Sequence, residues 1–491
     1  MNQTINYRAN LHFIKSFLCR KYLIAVFLMV ILIGCTKLVE VDAPSTSING
    51  ENLYTEDATA ISALTGIYAR INSQSYLSAL SMTVLPGLSS DELTFLNGGS
   101  NFVYQAYYNN TLTSITDPSD IWHTIYPTIY SANSALEGLT KSQTLTPGVK
   151  QQLLGEAKLI RAFCYFYLVN YYGEVPIVLT TDYKVNAIIP RASKESVYQQ
   201  IVSDLTDASN LLSSDFLGSG LTVTSERTRP SRWAALALLA RVNLYVGKYH
   251  EADELATQVI NASALFHLES LNNVFQKNSF EAIWQIQPIG TGMDANTAEG
   301  KFFILPDTGP NTYDQMVYLN KNLLNVFETG DLRKIDWIHS VEVNGQTYFY
   351  PYKYKVGAVN TTTSEYSMVL RLGEQYLIRA EARAQQGNIA ASLDDLNIIR
   401  NRAGLDNYAG PSDKSSLLKA VFHERQIELF VEWGHRWLDI KRTGEIDNVM
   451  PNVCLSKGGI WEPYKALYPI SQDEIKKNPS LKGHQNPGYS E

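Results

Sequence analysis

Residues 368–405, MVLRLGEQYLIRAEARAQQGNIAASLDDLNIIRNRAGL, constrain the fold more than any other stretch of this chain. Val369, Leu372, Tyr376, Ala380 and Ala384 recur every three or four residues, which makes one apolar stripe on a helix. Gly387 and Asn388 then end that helix, because both tolerate the left-handed conformation found at helix C-termini. Ile389, Leu393, Leu396, Ile399 and Ala403 rebuild the stripe as far as Gly404. Gly373, Ala380 and Ala384 are small enough for a partner helix to approach closely. The pattern specifies an antiparallel helical hairpin.

A second copy lies 140 residues earlier. Ala240 precedes Gly247 by seven residues as Ala380 precedes Gly387, and Ala252 follows Gly247 by five as Ser392 follows Gly387. These are the helix-contact and turn positions of a tetratricopeptide repeat, although the large aromatic positions of that repeat are poorly kept. Two further pairs have similar size, 57–74 with 118–140 and 148–172 with 194–212. Their starts are marked by Thr55, by Asp117-Pro118 with Asp120 following, and by Thr146-Pro147. The expected fold is predominantly α: four tetratricopeptide-like helix pairs form a scaffold within a single domain over 55–491. Another helix is expected over 415–433. Two stretches break the helical period. Residues 86–116 mix Gly, Asn and Ser with aromatics. Residues 266–367 contain a strand at FEAIWQIQPI and a hairpin at VEVNGQTYFYPYKYKV, turning at Asn344-Gly345. Together they predict a loop-rich, partly β insertion face.

The first residues read as an address. Arg8, Lys15, Arg20 and Lys21 flank an apolar run over 22–33, too short for a membrane span of roughly 20 residues. The run ends in Leu32-Ile33-Gly34-Cys35, which resembles the lipobox of bacterial lipoproteins. An ordinary secretory signal with a chance cysteine is the alternative. On the lipobox reading 1–34 is a signal peptide, Cys35 carries lipid and 35–54 is a tether, which makes the protein a lipid-anchored one outside the cytoplasm. Its removal takes four positive charges and no acidic ones, so the net charge moves from −7 to about −11. An acidic body argues against nucleic acid as partner, since phosphate binding needs clustered Lys and Arg. Cys164 and Cys454 remain, and the sequence alone does not say whether they pair.

Six blocks in order now resemble the SusD/RagB family of outer-membrane nutrient-binding lipoproteins. They are WHTIYPTIYSANSALEGL from Trp122, EAKLIRAFCYFYLVNYYGEVP from Glu156, RPSRWAALALLARVNLYVGKY from Arg229, the hairpin at 368–405, ERQIELFVEWGHRWLDIKRTG from Glu424, and an ending with YPI followed by QNPGY. The resemblance implies a four-repeat scaffold whose more variable loops hold ligand. It also implies a partner, a TonB-dependent (SusC-like) outer-membrane transporter. That barrel would be a separate chain, since nothing here reads as membrane strands.

Catalysis finds little support. Glu424, Glu428 and Glu432 share a helix face, and glycoside hydrolases use paired carboxylates, but Arg425, Arg436, Lys441 and Arg442 accompany them and point to structural ion pairs. Gly290-x-Gly292-x-x-Ala295 lacks the helix that a dinucleotide site requires. There is no HExxH, CxxC or GxSxG, and the eight histidines are scattered. No enzyme activity, cofactor or metal is expected, although loop carboxylates and carbonyls leave room for a calcium site.

Glycan binding is the reading with physical content. Sugars present apolar C–H faces and hydroxyls, so their sites combine aromatic platforms with Asn, Asp, Gln and Arg. With 30 tyrosines the chain is rich in such rings. The ligand-binding candidates are Asp91, Phe95, Asn97, Asn101, Phe102, Tyr104, Tyr107 and Tyr108, together with Phe303 and Tyr313 from the insertion. The stretch 95–108 falls between the helices of the first pair, where the resemblance implies the ligand face. Tyr348, Tyr350, Tyr352 and Tyr354 alternate as on one face of a strand and are read as structural. The expected function is a cell-surface glycan receptor of the outer membrane that delivers its catch to the transporter. A peptide ligand is the alternative, and glycoside hydrolysis a distant third.

Overall fold

In a computed structural model, residues 53–72, 78–117 and 121–491 are described. The signal segment, Cys35, most of the tether and the helix start at 118–120 lie outside the described residues. Residues 53–491 form one unit.

The scaffold begins with α1 (Asp57–Asn72), which packs on α4 (Ile121–Lys141). Next come α5 (Pro147–Tyr172) against α6 (Lys194–Leu211), and α7 (Arg232–Tyr245) against α8 (Tyr249–Asn261). The last pair is α10 (Leu372–Gln385) against α11 (Ile389–Arg402). The helices of the first three pairs also touch the pair that follows, so the four predicted helix pairs stack into one array. The repeat positions do what their spacing requires. Ala240, Ala252, Ala380 and Ser392 are all fully buried, and the Ser392 hydroxyl donates to the Ala380 carbonyl across the hairpin at 2.6 Å. Gly387 turns the chain at φ 84, a conformation that a side chain would strain.

The central helix α5 is buried almost all round, and its aromatics form the core with rings from distant segments. Phe163 meets Trp284 and Trp433 edge-on at 5.6 and 5.3 Å, and Tyr171 stacks on Tyr468 at 5.2 Å. Such pairs add about 1 kcal/mol each beyond burial. Much of the tyrosine excess is therefore framework. Cys164 and Cys454 are both buried free thiols.

Between the scaffold pairs, β2 (Ala282–Ile286) runs antiparallel to β6 (Ser367–Arg371), with Gln285 opposite Met368. Val369 belongs to this buried strand rather than to the helix stripe, and α10 begins directly after it. The hairpin β4 (Ile338–Val343) to β5 (Gln346–Pro351) turns at Asn344-Gly345 as expected.

The helix expected over 415–433 stops early. It spans α12 (Lys414–Glu428), and the chain then makes a tight buried turn before α13 (His435–Arg442). Val431 and Trp433 take positive φ there, at 51 and 46. The compensation is hydrogen bonding: Val431 N–H donates to Glu92 and Trp433 N–H to Thr83, both at 3.0 Å. Helical period alone could not show this break, because the residues past it are as apolar as those before.

The Glu424, Glu428 and Glu432 series is a structural network. Arg371 binds Glu428 at 2.6 Å and Glu432 at 2.8 and 2.9 Å. Arg333 bridges Asp331 at 2.8 Å, Glu424 at 2.7 Å and Glu428 at 3.0 Å, and Arg402 joins Glu281 to Glu428. Gly373 is part of the same design, since a Cβ there would lie 2.5 Å from the Arg371 guanidinium. Removing one partner of such buried pairs costs about 3–5 kcal/mol, so the cluster clamps the insertion to the scaffold.

Candidate functional site

Residues 86–116 are more regular than their composition suggests. Pro86 lies inside a buried helix, α2 (Ala79–Ser89), and is followed by β1 (Leu93–Phe95) and by α3 (Phe102–Asn109). The α3 helix has eight residues, too few for its period to repeat visibly. Its ends are nevertheless written in the sequence: the Asn101 side chain accepts from Tyr104 N–H at 3.0 Å as an N-cap, and Asn110 stops the helix at φ 52.

β1 pairs antiparallel with β3 (Val317–Leu319), placing Phe95 opposite Val317. This short ladder brings two loops side by side. Leu96 N–H donates to the Met316 carbonyl at 2.7 Å, and Ser100 gives both its N–H and its hydroxyl to the Thr312 carbonyl at 3.0 and 2.7 Å. The second loop is braced by Asn311, whose side-chain oxygen accepts from Tyr313 and Asp314 N–H at 3.0 and 2.7 Å. Gln315 then ties it to the Ile304 carbonyl at 2.9 Å, just past α9 (Ala298–Phe303).

Beside these bonds, Phe102 at the start of α3 is 67% and Tyr313 on the second loop 78% exposed. Asn97 is also exposed, while Asn101 and Tyr104 are half-buried. Tyr104 meets Phe302 edge-on at 6.3 Å, and Phe302 meets Phe303 at 5.2 Å. Tyr108 is half-buried with the Lys457 ammonium 4.9 Å from its ring.

Four candidates face inward instead. Asp91 is buried in a bidentate pair with Arg436 at 2.8 and 2.7 Å. Burial alone would raise its carboxyl, but the guanidinium charge and hydrogen bonds outweigh that and hold it below the usual range. Phe95 is in the core beside β3, and Tyr107 is buried edge-on against Tyr468 at 5.2 Å. Phe303 is buried, and its neighbour Phe302 is the ring that reaches Tyr104. These four have no surface to offer a ligand. An aromatic or acidic residue in a loop looks the same in sequence whether it points in or out. The sequence reading also missed Thr312, which braces the face through its backbone carbonyl, and Gln315, which does so through its side-chain amide, although the Asn311 turn is a signal for them.

Among the groups this pair of segments leaves exposed are two aromatic rings, Phe102 and Tyr313, and the Asn97 side chain. Among the described residues, no cluster of three or more His, Cys, Asp or Glu side chains is placed to hold a metal ion. None of the helices described is long and apolar enough to cross a membrane.

Residues 50–244 match a family model described as starch-binding associating with outer membrane, and residues 336–489 match that of the SusD family. Two SusD-like proteins of Formosa agariphila are similar along their length. One is 22% identical over 94% of this chain and 97% of its own, and the other 25% over 96% and 100%. Among solved structures, a laminarin-binding SusD-like protein superposes with a TM-score of 0.72 at 23% identity, covering 88% of this chain and 99% of that one. A surface glycan-binding protein A from Bacteroides fluxus gives 0.71 at 20% identity over 88% and 99%.

Proposed function

The chain belongs to the SusD/RagB family, and from that premise we propose that it is a cell-surface receptor that captures a glycan and passes it to a TonB-dependent outer-membrane transporter without transforming it. One observation carries the ligand class. In a protein that folds most of its aromatics inward, Phe102 at the start of α3 and Tyr313 on the facing loop stand exposed next to the Ser100–Thr312 bonds that lock the two segments together. Exposed rings held on a braced loop lose little entropy when a sugar stacks on them. The structural neighbours include a laminarin-binding and a surface glycan-binding protein, which is consistent with this reading. The carboxylates that a hydrolase would use, Glu424, Glu428 and Glu432, are taken up by arginines and a lysine in the interior. Anchoring through Cys35 and handover to a barrel chain complete the proposal.

Calorimetric titration of the mature chain against neutral glycan and peptide panels tests it. Saturable binding of a glycan, recovered intact after overnight incubation, is expected. Binding confined to peptides, or shortened glycan products, would overturn it. Co-purification of a barrel transporter with the chain tests the handover.

A further inference from the structure

A hollow of about 630 Å3 opens on the scaffold beside the fourth helix pair, between the loop after α11 and helix α12. None of the residues of the Phe102–Tyr313 face lines it. Its volume falls within the roughly 300–1,000 Å3 of small-molecule sites.

The hollow carries an ordered aromatic wall. Tyr408 N–H donates to the Asn397 side chain at 2.8 Å, and the ring lies across Gly410, where a Cβ would come within 2.2 Å of the tyrosine hydroxyl. Glycine at 410 is what allows the ring this position. The polar wall is also built. Arg400, nine-tenths buried, gives its fork to Glu328 at 2.6 and 3.0 Å and its Nε to the Asp406 carbonyl at 3.1 Å. Asn407 and Lys419 stand exposed at the rim.

The charges balance, Arg400 and Lys419 against Glu328 and Asp406, and burial lowers the His423 pKa, which favours the uncharged imidazole. A net-charged ligand gains nothing from such a lining. A neutral sugar does: a ring can offer a C–H face, and amide, ammonium and carboxylate groups can take hydroxyls. We propose that this hollow is a second neutral-sugar site, on the scaffold rather than on the loop-rich face. The proposal rests on the glycan reading above. Two sites on one chain would raise avidity for a long polymer without new contacts at either.

The test is calorimetric titration of the mature chain with maltotriose, laminaritriose, cellotriose and mannotriose to millimolar concentration. Tyr408→Ala, Lys419→Ala and the double Phe102→Ala/Tyr313→Ala variant are titrated in parallel, and thermal melts check folding. Two sites per chain are expected for at least one sugar. Tyr408→Ala should weaken one of them at least tenfold, Lys419→Ala should weaken the same one, and the double variant should weaken the other about thirtyfold, out of the millimolar range of the titration. Lys419 is exposed, so its variant carries the test if Tyr408→Ala does not fold. A single site, lost in the double variant and untouched by Tyr408→Ala and Lys419→Ala, would overturn this inference and leave the glycan reading standing. Absence of binding by all four sugars would overturn both.

Discussion

Asp91 separates ligand chemistry from framework, and one substitution decides between them. Its carboxylate receives two hydrogen bonds from Arg436 at 2.8 and 2.7 Å, and Gln426 adds a third at 3.4 Å. Both members of the ion pair are buried. Asp91→Asn keeps the shape but removes the guanidinium's direct charged partner, leaving the field of Asp439 and the Phe422 ring at 5.2 Å as weaker substitutes. Breaking a buried pair from one side costs about 3–5 kcal/mol, a large share of a stability of about 5–15 kcal/mol. For a body of this size the unfolding entropy converts that cost to a fall of roughly 3–5 °C in Tm. Urea unfolding and thermal melts of the mature chain measure it. The double variant Asp91→Leu/Arg436→Met should recover at least about 2 kcal/mol, because an apolar pair of similar volume carries no desolvated charge. Glycan affinity, measured below the melting range, should be unchanged. If Asp91→Asn stayed within about 0.5 kcal/mol of wild type while weakening ligand binding, Asp91 would be a ligand contact and the framework argument would be wrong.

Further outcomes follow from the same geometry. Phe102→Ala and Tyr313→Ala should each cost about 1 kcal/mol of glycan affinity and leave Tm unmoved; a Tm drop with intact affinity would make these rings structural. Burial pushes Glu92 up to about 8 from 4.5, so the native state keeps a proton that the unfolded chain has lost by neutral pH. That stability is full below the unfolded value and is lost as pH rises through the folded one. Measured against Glu92→Gln, wild type should therefore lose about 2–3 kcal/mol between pH 5 and 7, and parallel urea series for the two proteins would refute this. Gly434 sits at φ 72, where a Cβ would come within 2.7 Å of Pro86 and of the Tyr171 hydroxyl. Gly434→Ala should cost about 2 kcal/mol or more, and an unchanged denaturation midpoint would show that the buried turn yields.

Much of the fold is legible from residue spacing, because amphipathic helices announce the face they must bury. The hairpin over 372–402 and its twin over 232–261 show this in the positions of Ala240, Ala252, Ala380 and Ser392. The Asn344-Gly345 hairpin was legible for the same reason, since its turn chemistry is local. The break after Glu428 was not, because Val431 and Trp433 are held in positive φ by hydrogen bonds to Glu92 and Thr83, more than 330 residues away in sequence.

The candidate site divides along the same line. Sequence by itself determined the helical repeats, the acidic character of the body and the stretches, 86–116 and 266–367, where the helical period fails. It could not say which aromatics point outward. That depends on the pairing of β1 with β3 and on the Ser100–Thr312 bonds, contacts between segments about 200 residues apart. Tertiary structure sends Phe95, Tyr107 and Phe303 into the core, leaves Phe102 and Tyr313 in solvent, and turns Asp91 from a ligand candidate into the buried partner of Arg436. The physical reason is that helix formation is decided by neighbours three and four residues away, whereas burial of a side chain is decided by whatever the rest of the chain packs against it.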